Sequence, residues 1–183
     1  MPDTMELTPE IKQQNFMKLY EPVHVKLDRY VHSIMRNRED AKDIISETVL
    51  KAYENFEKIH KPESFLYYLF RIASNAIRSK DRRKKFWGEL DQNHTNNIPD
   101  ASDDIIAKTE MKEFYAQLNQ LPEKQKEAIV LYEISGLTLN EIHQIQGGSL
   151  SGVKSRIGRG RHQLEQKLEY TKKISVNTTL EFK

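Results

Sequence analysis

Ala41, Ile44, Ile45, Thr48, Val49, Ala52, Tyr53 and Phe56 recur at intervals of three and four residues. That spacing is one face of an α-helix, and a face so apolar must be buried against another element. Phe65, Tyr68, Leu69, Ile72, Ala73 and Ala76 repeat the pattern after the breaker His60-Lys61-Pro62-Glu63. No stretch shows the alternation of a strand, and no internal repeat is present. The chain therefore predicts an all-α fold in which amphipathic helices bury their faces on one another.

Punctuation divides these helices. Thr8-Pro9-Glu10 combines a hydroxyl cap, a first-turn proline and an acid, which marks a helix start. Pro22 separates that helix from a second ending near Met35. The fourth helix leads into a basic run, Arg78 to Lys85, and then an acidic stretch from Glu89 to Asp104 that contains Pro99. That stretch has too few apolar residues to offset the entropy of ordering, so it reads as a flexible linker. Helices resume near Asp103. Leu121-Pro122-Glu123 starts one that runs to Ser135 and stops at Gly136. Thr138-Leu-Asn-Glu141 is a capping box. The short helix it opens ends at Gly147-Gly148. Ser149 can cap the last helix, on which Val153, Ile157, Gly160, Leu164 and Leu168 share a face. The tail from Thr171 reads as polar and loosely ordered. The expected organisation is two small helical domains, 8–86 and 105–170, with an acidic linker over 87–104 and a tail over 171–183.

Composition narrows the classes. Lys and Arg number 29 against 27 Asp and Glu, so the net charge of +2 does not announce a nucleic-acid binder and the distribution must decide. The absence of cysteine excludes disulfides and thiolate metal sites and fits a cytoplasmic protein. Met1 to Phe16 has no basic start followed by an apolar run, so no signal peptide is expected, and no apolar segment is long enough for membrane insertion. No constellation supports catalysis. The six histidines, His24, His32, His60, His94, His143 and His162, are too scattered for a ligand set, so no metal and no cofactor are expected.

The segment from Thr138 to Leu168 is a short helix, a glycine turn and a longer helix, the order of a helix-turn-helix. The outward face of the longer helix carries Ser151, Lys154, Ser155, Gly158, Arg159 and His162, with Arg156 and Arg161 at its flanks. No acid occurs from Leu150 to Leu164. Cations and small donors on the groove-entering half of a helix suit phosphates and base edges. The competing reading of these residues is a basic surface helix in a bundle with no DNA partner; an ordinary solvated helix, however, mixes signs.

Leu121-Pro-Glu-Lys-Gln, Gly136-Leu-Thr-Leu-Asn-Glu-Ile142 and Val153-Lys-Ser-Arg-Ile157 followed by Arg159-Gly-Arg161 closely resemble region 4 of extracytoplasmic-function sigma factors, in the sigma-70 family. Glu39-Asp-Ala-Lys-Asp-Ile-Ile-Ser-Glu-Thr48 resembles their region 2.2, and Phe65-Leu-Tyr-Tyr-Leu-Phe-Arg-Ile-Ala-Ser-Asn75 their regions 2.3 to 2.4. The resemblance implies a first domain that docks on core RNA polymerase through Asp40, Asp43, Ile44, Ser46, Glu47 and Thr48. It implies that the same domain captures a flipped base of the promoter −10 element in a pocket over Phe56 to Phe65. Tyr67, Tyr68, Arg71, Asn75, Arg78, Arg82 and Arg83 are the matching or chemically suited DNA contacts, since single-strand capture needs π faces, amides and cations. By spacing alone Phe65, Tyr68 and Ile72 belong to the core, and Asp40, Asp43 and Glu47 form a solvated acidic face. The second domain is expected to read the −35 element through Ser151, Lys154, Ser155, Arg156, Arg159 and Arg161. The resemblance further implies an anti-sigma factor as a partner and a non-catalytic role, with the chemistry belonging to polymerase.

The chain departs from the family pattern at Tyr68, His143, Gln146, Gly148, Gly152, Gly158 and Gly160. Glycines inside a helix each cost up to about 1 kcal/mol relative to alanine, so Gly158 and Gly160 predict a marginal recognition helix. Two further readings stay open on the residues: a polymerase-independent regulator using only its helix-turn-helix, and a relic that sequesters an anti-sigma factor.

Overall fold

The structure, a computed structural model, describes residues 8–35, 37–86 and 105–181. The expected linker over 87–104 lies outside the described residues. Every regular element among them is helical. The chain divides into two compact units between His94 and Thr95.

The first unit begins with α1 (Pro9–Tyr20), α2 (His24–Ile34) and α3 (Arg38–Glu54). A 3-10 turn at Phe56–Lys58 and α4 (Ser64–Phe86) complete it. Thr8 caps α1 by accepting from the Ile11 amide, with Pro9 in the first turn. Asn37 Oδ1 starts α3 by accepting from the amides of Glu39 at 2.8 Å and Asp40 at 3.2 Å, and those two acids then sit at the positive end of the helix dipole. α3 packs on α2 and α4. Ala41, Ile44, Thr48 and Ala52 are the buried face of α3, as its periodicity demands.

Phe16 joins the far end of this bundle to α1. Its ring meets those of Tyr53, Phe56 and Phe65 edge-on at 5.3, 5.5 and 5.4 Å, the arrangement that ring quadrupoles favour. The 3-10 turn is thereby held against α1, and Lys12 strengthens the joint through Glu57 at 3.0 Å. The buried face of α4 is wider than the spacing indicated. Phe70 and Ile77 join Phe65, Leu69, Ala73 and Ala76 in the core, whereas Tyr68 and Ile72 are only half-buried. The reason is that α4 has neighbours on two sides, α3 and the Tyr30 ring of α2, which lies 5.4 Å from Phe70. The basic run does not end the helix; Arg and Lys are good helix formers and no Gly or Pro intervenes before Gly88.

The second unit contains α5 (Ile105–Leu118), α6 (Glu123–Ile129), a π turn at Val130–Ile134, α7 (Leu139–Gln146) and α8 (Leu150–Glu181). α8 is the hub, packing on α5, α6 and α7. Two expectations are corrected here. The helix expected from Pro122 to Ser135 widens in its second half: the Ser135 amide donates to the Val130 carbonyl at 2.9 Å, a five-residue reach that adds a residue to the turn. The polar tail expected from Thr171 is a continuation of α8 to Glu181, since nothing between Leu168 and Glu181 is a Gly or Pro to stop it.

Candidate nucleic-acid interface

α4 presents a polar stripe opposite its core face. Tyr67, Arg71, Asn75, Arg78 and Arg82 recur at three and four residues, so they align along one side, with Tyr68 beside them. Arg71, Asn75 and Arg82 are exposed, while Tyr67, Tyr68 and Arg78 are half-buried. Arg83 is exposed on the flank. The structure thus brings these sequence-predicted residues onto one surface. Two aromatic rings at its start, an amide in the middle and cations beyond supply stacking, hydrogen bonding and phosphate neutralisation in one line. Phe65 is not part of it; it is fully buried against Phe16.

Lys80 lies in the same basic run but faces the other way. Its ammonium stands 2.6 Å from Asp40 Oδ1 and 3.5 Å from Asp43 Oδ2 on α3. Sequence spacing held no signal for this pairing, because it crosses between helices about forty positions apart. The acidic face is therefore partly neutralised from within. Asp43 and Ser46 are exposed, and Glu47 is half-buried and paired with Lys51. Ile44 and Thr48 are 2% and 0% exposed. As direct polymerase contacts those two are corrected: the side chains that fill the core cannot also touch a partner.

The helix-turn-helix is built by α7, the glycine turn and α8. Thr138 Oγ1 accepts from the Glu141 amide at 3.3 Å, and Glu141 Oε2 accepts from the Thr138 amide at 2.7 Å, so both halves of the capping box form. Gly147 and Gly148 have φ of 70° and 89°, left-handed values that side chains resist. Ser149 Oγ then accepts from the Gly152 amide at 3.1 Å and starts α8.

His143 and Gln146, two of the residues that depart from the family pattern, have work around this turn. His143 Nε2 donates to the Gly148 carbonyl at 2.9 Å. Gln146 Nε2 donates to Glu127 Oε2 at 2.8 Å and to the Lys124 carbonyl at 3.2 Å, tying α7 to α6. Arg156 donates to the Gly147 carbonyl at 3.1 Å. Gly160 lies where α8 crosses α6, and a Cβ there would stand 2.5 Å from Ile129 Cδ1. The recognition helix is continuous through Gly158 and Gly160. The propensity cost at Gly160 is offset by a close approach only glycine permits.

Ser151, Lys154, Ser155, Arg159 and His162 remain exposed on the outward face of α8, as does Gly158. Two predicted contacts are engaged elsewhere. Arg156 is half-buried under the turn, and Arg161 reaches back to Glu133 of the π turn, with Nε donating to Oε1 at 2.6 Å. The Arg161 guanidinium also sits 5.4 Å from the centre of the Tyr132 ring. The carboxylate hydrogen bond pushes the Arg161 pKa further above its usual value. Sequence reasoning missed Tyr132 and Glu133, because the π turn that aims them at α8 left no trace in the periodicity. An open cavity of about 590 Å³ lies beside them, lined by Tyr132, Thr138, Asn140, Leu150 and Lys154 among others. Among the described residues no three His, Asp or Glu side chains converge as metal ligands, and no helix is long and apolar enough to cross a membrane.

A helical bundle with a cationic, aromatic outer stripe, followed by a helix-turn-helix with an acid-free recognition face, defines a DNA-binding protein made of two helical units. The sigma-70 region 2 family matches residues 19–86, and the sigma-70 region 4 family matches residues 111–164. The chain is 30% identical to the ECF RNA polymerase sigma factor EcfG of Rhodopseudomonas palustris over 139 residues, 75% of this chain and 76% of that one. It is 28% identical to the ECF RNA polymerase sigma-E factor of Haemophilus influenzae over 155 residues, 78% of this chain and 79% of that one. In fold it resembles the sigma factor RpoE from Bartonella quintana, solved in complex with the anti-sigma factor NepR, with a TM-score of 0.69, 24% identity and coverage of 85% and 98% of the two chains. The chain belongs to the sigma-70 family of RNA polymerase sigma factors, in its extracytoplasmic-function subfamily.

Proposed function

We propose that this chain is a dissociable specificity subunit of bacterial RNA polymerase, which recognises promoter −35 and −10 elements and assists strand opening. The observation that carries the proposal is the pair of outward faces on α4 and α8: the aromatic and cationic stripe of α4, which Asp81 borders, and the recognition face of α8, free of acids from Leu150 to Leu164. In this reading Asp40, Asp43, Ser46 and Glu47 meet the polymerase core, with Ile44 and Thr48 supporting them from beneath. Tyr67, Tyr68, Arg71, Asn75, Arg78, Arg82 and Arg83 take the −10 strand. Ser151, Lys154, Ser155 and Arg159 enter the −35 duplex. Arg156 and Arg161, held by Gly147 and Glu133, seat the recognition helix.

The working domains in this reading are 8–86 and 105–170, joined by the acidic segment 87–104. The chain carries no catalytic site of its own and acts in the cytoplasm, where polymerase is. An anti-sigma factor that masks the two DNA-facing surfaces is part of the reading, supported by the complex in which the Bartonella relative is held.

The test is promoter-specific transcription with purified core polymerase and fragmented genomic DNA of the source organism, against a control lacking the chain. New transcripts sharing two upstream elements are expected. Arg159→Ala should weaken −35-dependent initiation by about 1–3 kcal/mol. Core binding without transcripts would favour sequestration of an anti-sigma factor. Loss of both would favour a polymerase-independent regulator.

A further inference from the structure

Arg161 stands two helical turns beyond Lys154 on the same flank of α8. Lys154 is exposed to solvent. Arg161 is different: its guanidinium is forked onto Glu133 and lies against the Tyr132 ring, both presented by the π turn. Glu133 belongs to no other described ion pair, and its partner Arg161 lies in the acid-free stretch of α8 over 150–164, with the exposed Glu165 one turn further on. A carboxylate at the edge of a DNA-reading face is a cost unless it answers a cation, because a DNA backbone repels it. An arginine already neutralised displaces no counterion from DNA, so it adds nothing to the salt-dependent part of affinity.

We propose that Glu133 is a specificity-determining residue that withholds Arg161 from the DNA backbone, lowering sequence-independent affinity while leaving the base-reading face of α8 unchanged. The inference rests on the reading of α8 as the duplex-binding helix. The π turn supplies the geometry. It widens the segment after Ile129 and so carries Tyr132 and Glu133 across to α8, where a regular helix would rotate them away. The aromatic ring and the carboxylate hold one cation from two sides, a stronger restraint than a single exposed ion pair.

The experiment measures binding of the full chain to a short mixed-sequence DNA duplex by fluorescence anisotropy across a salt series. Glu133→Gln should steepen the dependence of log affinity on log salt by about 0.9, the contribution of one more neutralised phosphate. Between about 50 and 200 mM salt that is an additional threefold to fourfold loss of affinity, with correspondingly tighter binding at the low end. Glu133→Gln combined with Arg161→Ala should return the slope to the parent value, and Arg161→Ala alone, which leaves the Glu133 carboxylate unanswered, should not steepen it. The idea is overturned if Glu133→Gln does not steepen the slope, whether or not duplex binding is detected. It is equally overturned if the steepening survives removal of Arg161, since Glu133 would then act by its own charge. Arg159→Ala run in parallel separates the two levels: a reduced slope keeps α8 on the DNA whatever Glu133 does, and an unchanged slope removes both the placement of α8 and this inference.

Discussion

Gly160 of α8 and Ile129 of α6 approach so closely that a Cβ on the glycine would stand 2.5 Å from Ile129 Cδ1. Ile129 is 1% exposed, so its side chain can yield only by displacing core neighbours. Gly158, two residues earlier, has nothing within 4 Å of the corresponding point. Two glycines that look alike in the sequence therefore have opposite consequences. Gly160→Ala should destabilise by about 1–3 kcal/mol through overpacking, less the helix-propensity gain. Gly158→Ala should stabilise by up to about 1 kcal/mol. Ile129→Val removes the clashing atom, so in that background Gly160→Ala should be close to neutral. Thermal unfolding of the four variants checks this, and equal effects at the two glycines would contradict the packing argument.

Thr48 separates a core role from a polymerase contact. It is fully buried and its Oγ1 has no hydrogen-bond partner. Thr48→Val keeps the shape and removes an unsatisfied hydroxyl, so stability should hold or rise by up to about 1 kcal/mol. Binding to core polymerase should be unchanged, whereas Asp43→Ala should weaken it. Pull-down titration against core enzyme reads both. A binding defect in the valine variant with normal stability would place the hydroxyl in the contact.

The clasp of His143 on the Gly148 carbonyl should matter to the turn more than to the helices. His143→Ala should cost about 1 kcal/mol of unfolding free energy, the net value of one hydrogen bond, and weaken duplex binding by a similar factor. His143→Gln offers another amide donor and should restore part of both. If alanine and glutamine behave identically, the donated hydrogen bond is not what holds the turn.

Lys80 draws the partly buried Asp40 and the exposed Asp43 toward α4. Lys80→Met retains the aliphatic stem and removes the charge, leaving both carboxylates without that partner. A loss of about 0.5–2 kcal/mol is expected, smaller at high salt. Urea midpoints at two ionic strengths test it. An unchanged midpoint at low salt would mean that Lys80 contributes only its stem.

Local chemistry alone determined which segments are helices. Periodic apolar residues require a buried face, and Thr8, Asn37, the Thr138–Glu141 box and Gly147-Gly148 set helix ends through hydrogen bonds or backbone angles that involve only near neighbours. The same locality made the acid-free face of α8 and the cationic stripe of α4 legible, because a helix turns spacing directly into a surface. Tertiary structure decided which of those residues are free to act. Ile44 and Thr48 became core when α3 packed, Lys80 turned away from the stripe to meet α3, Arg156 went under the glycine turn, and Arg161 was taken by Glu133. Each depends on a partner in another helix, and a contact between helices is set by packing distances that no spacing within one helix encodes. For the same reason Gly160 read as a weakness in isolation and proved to be the point where α8 meets α6.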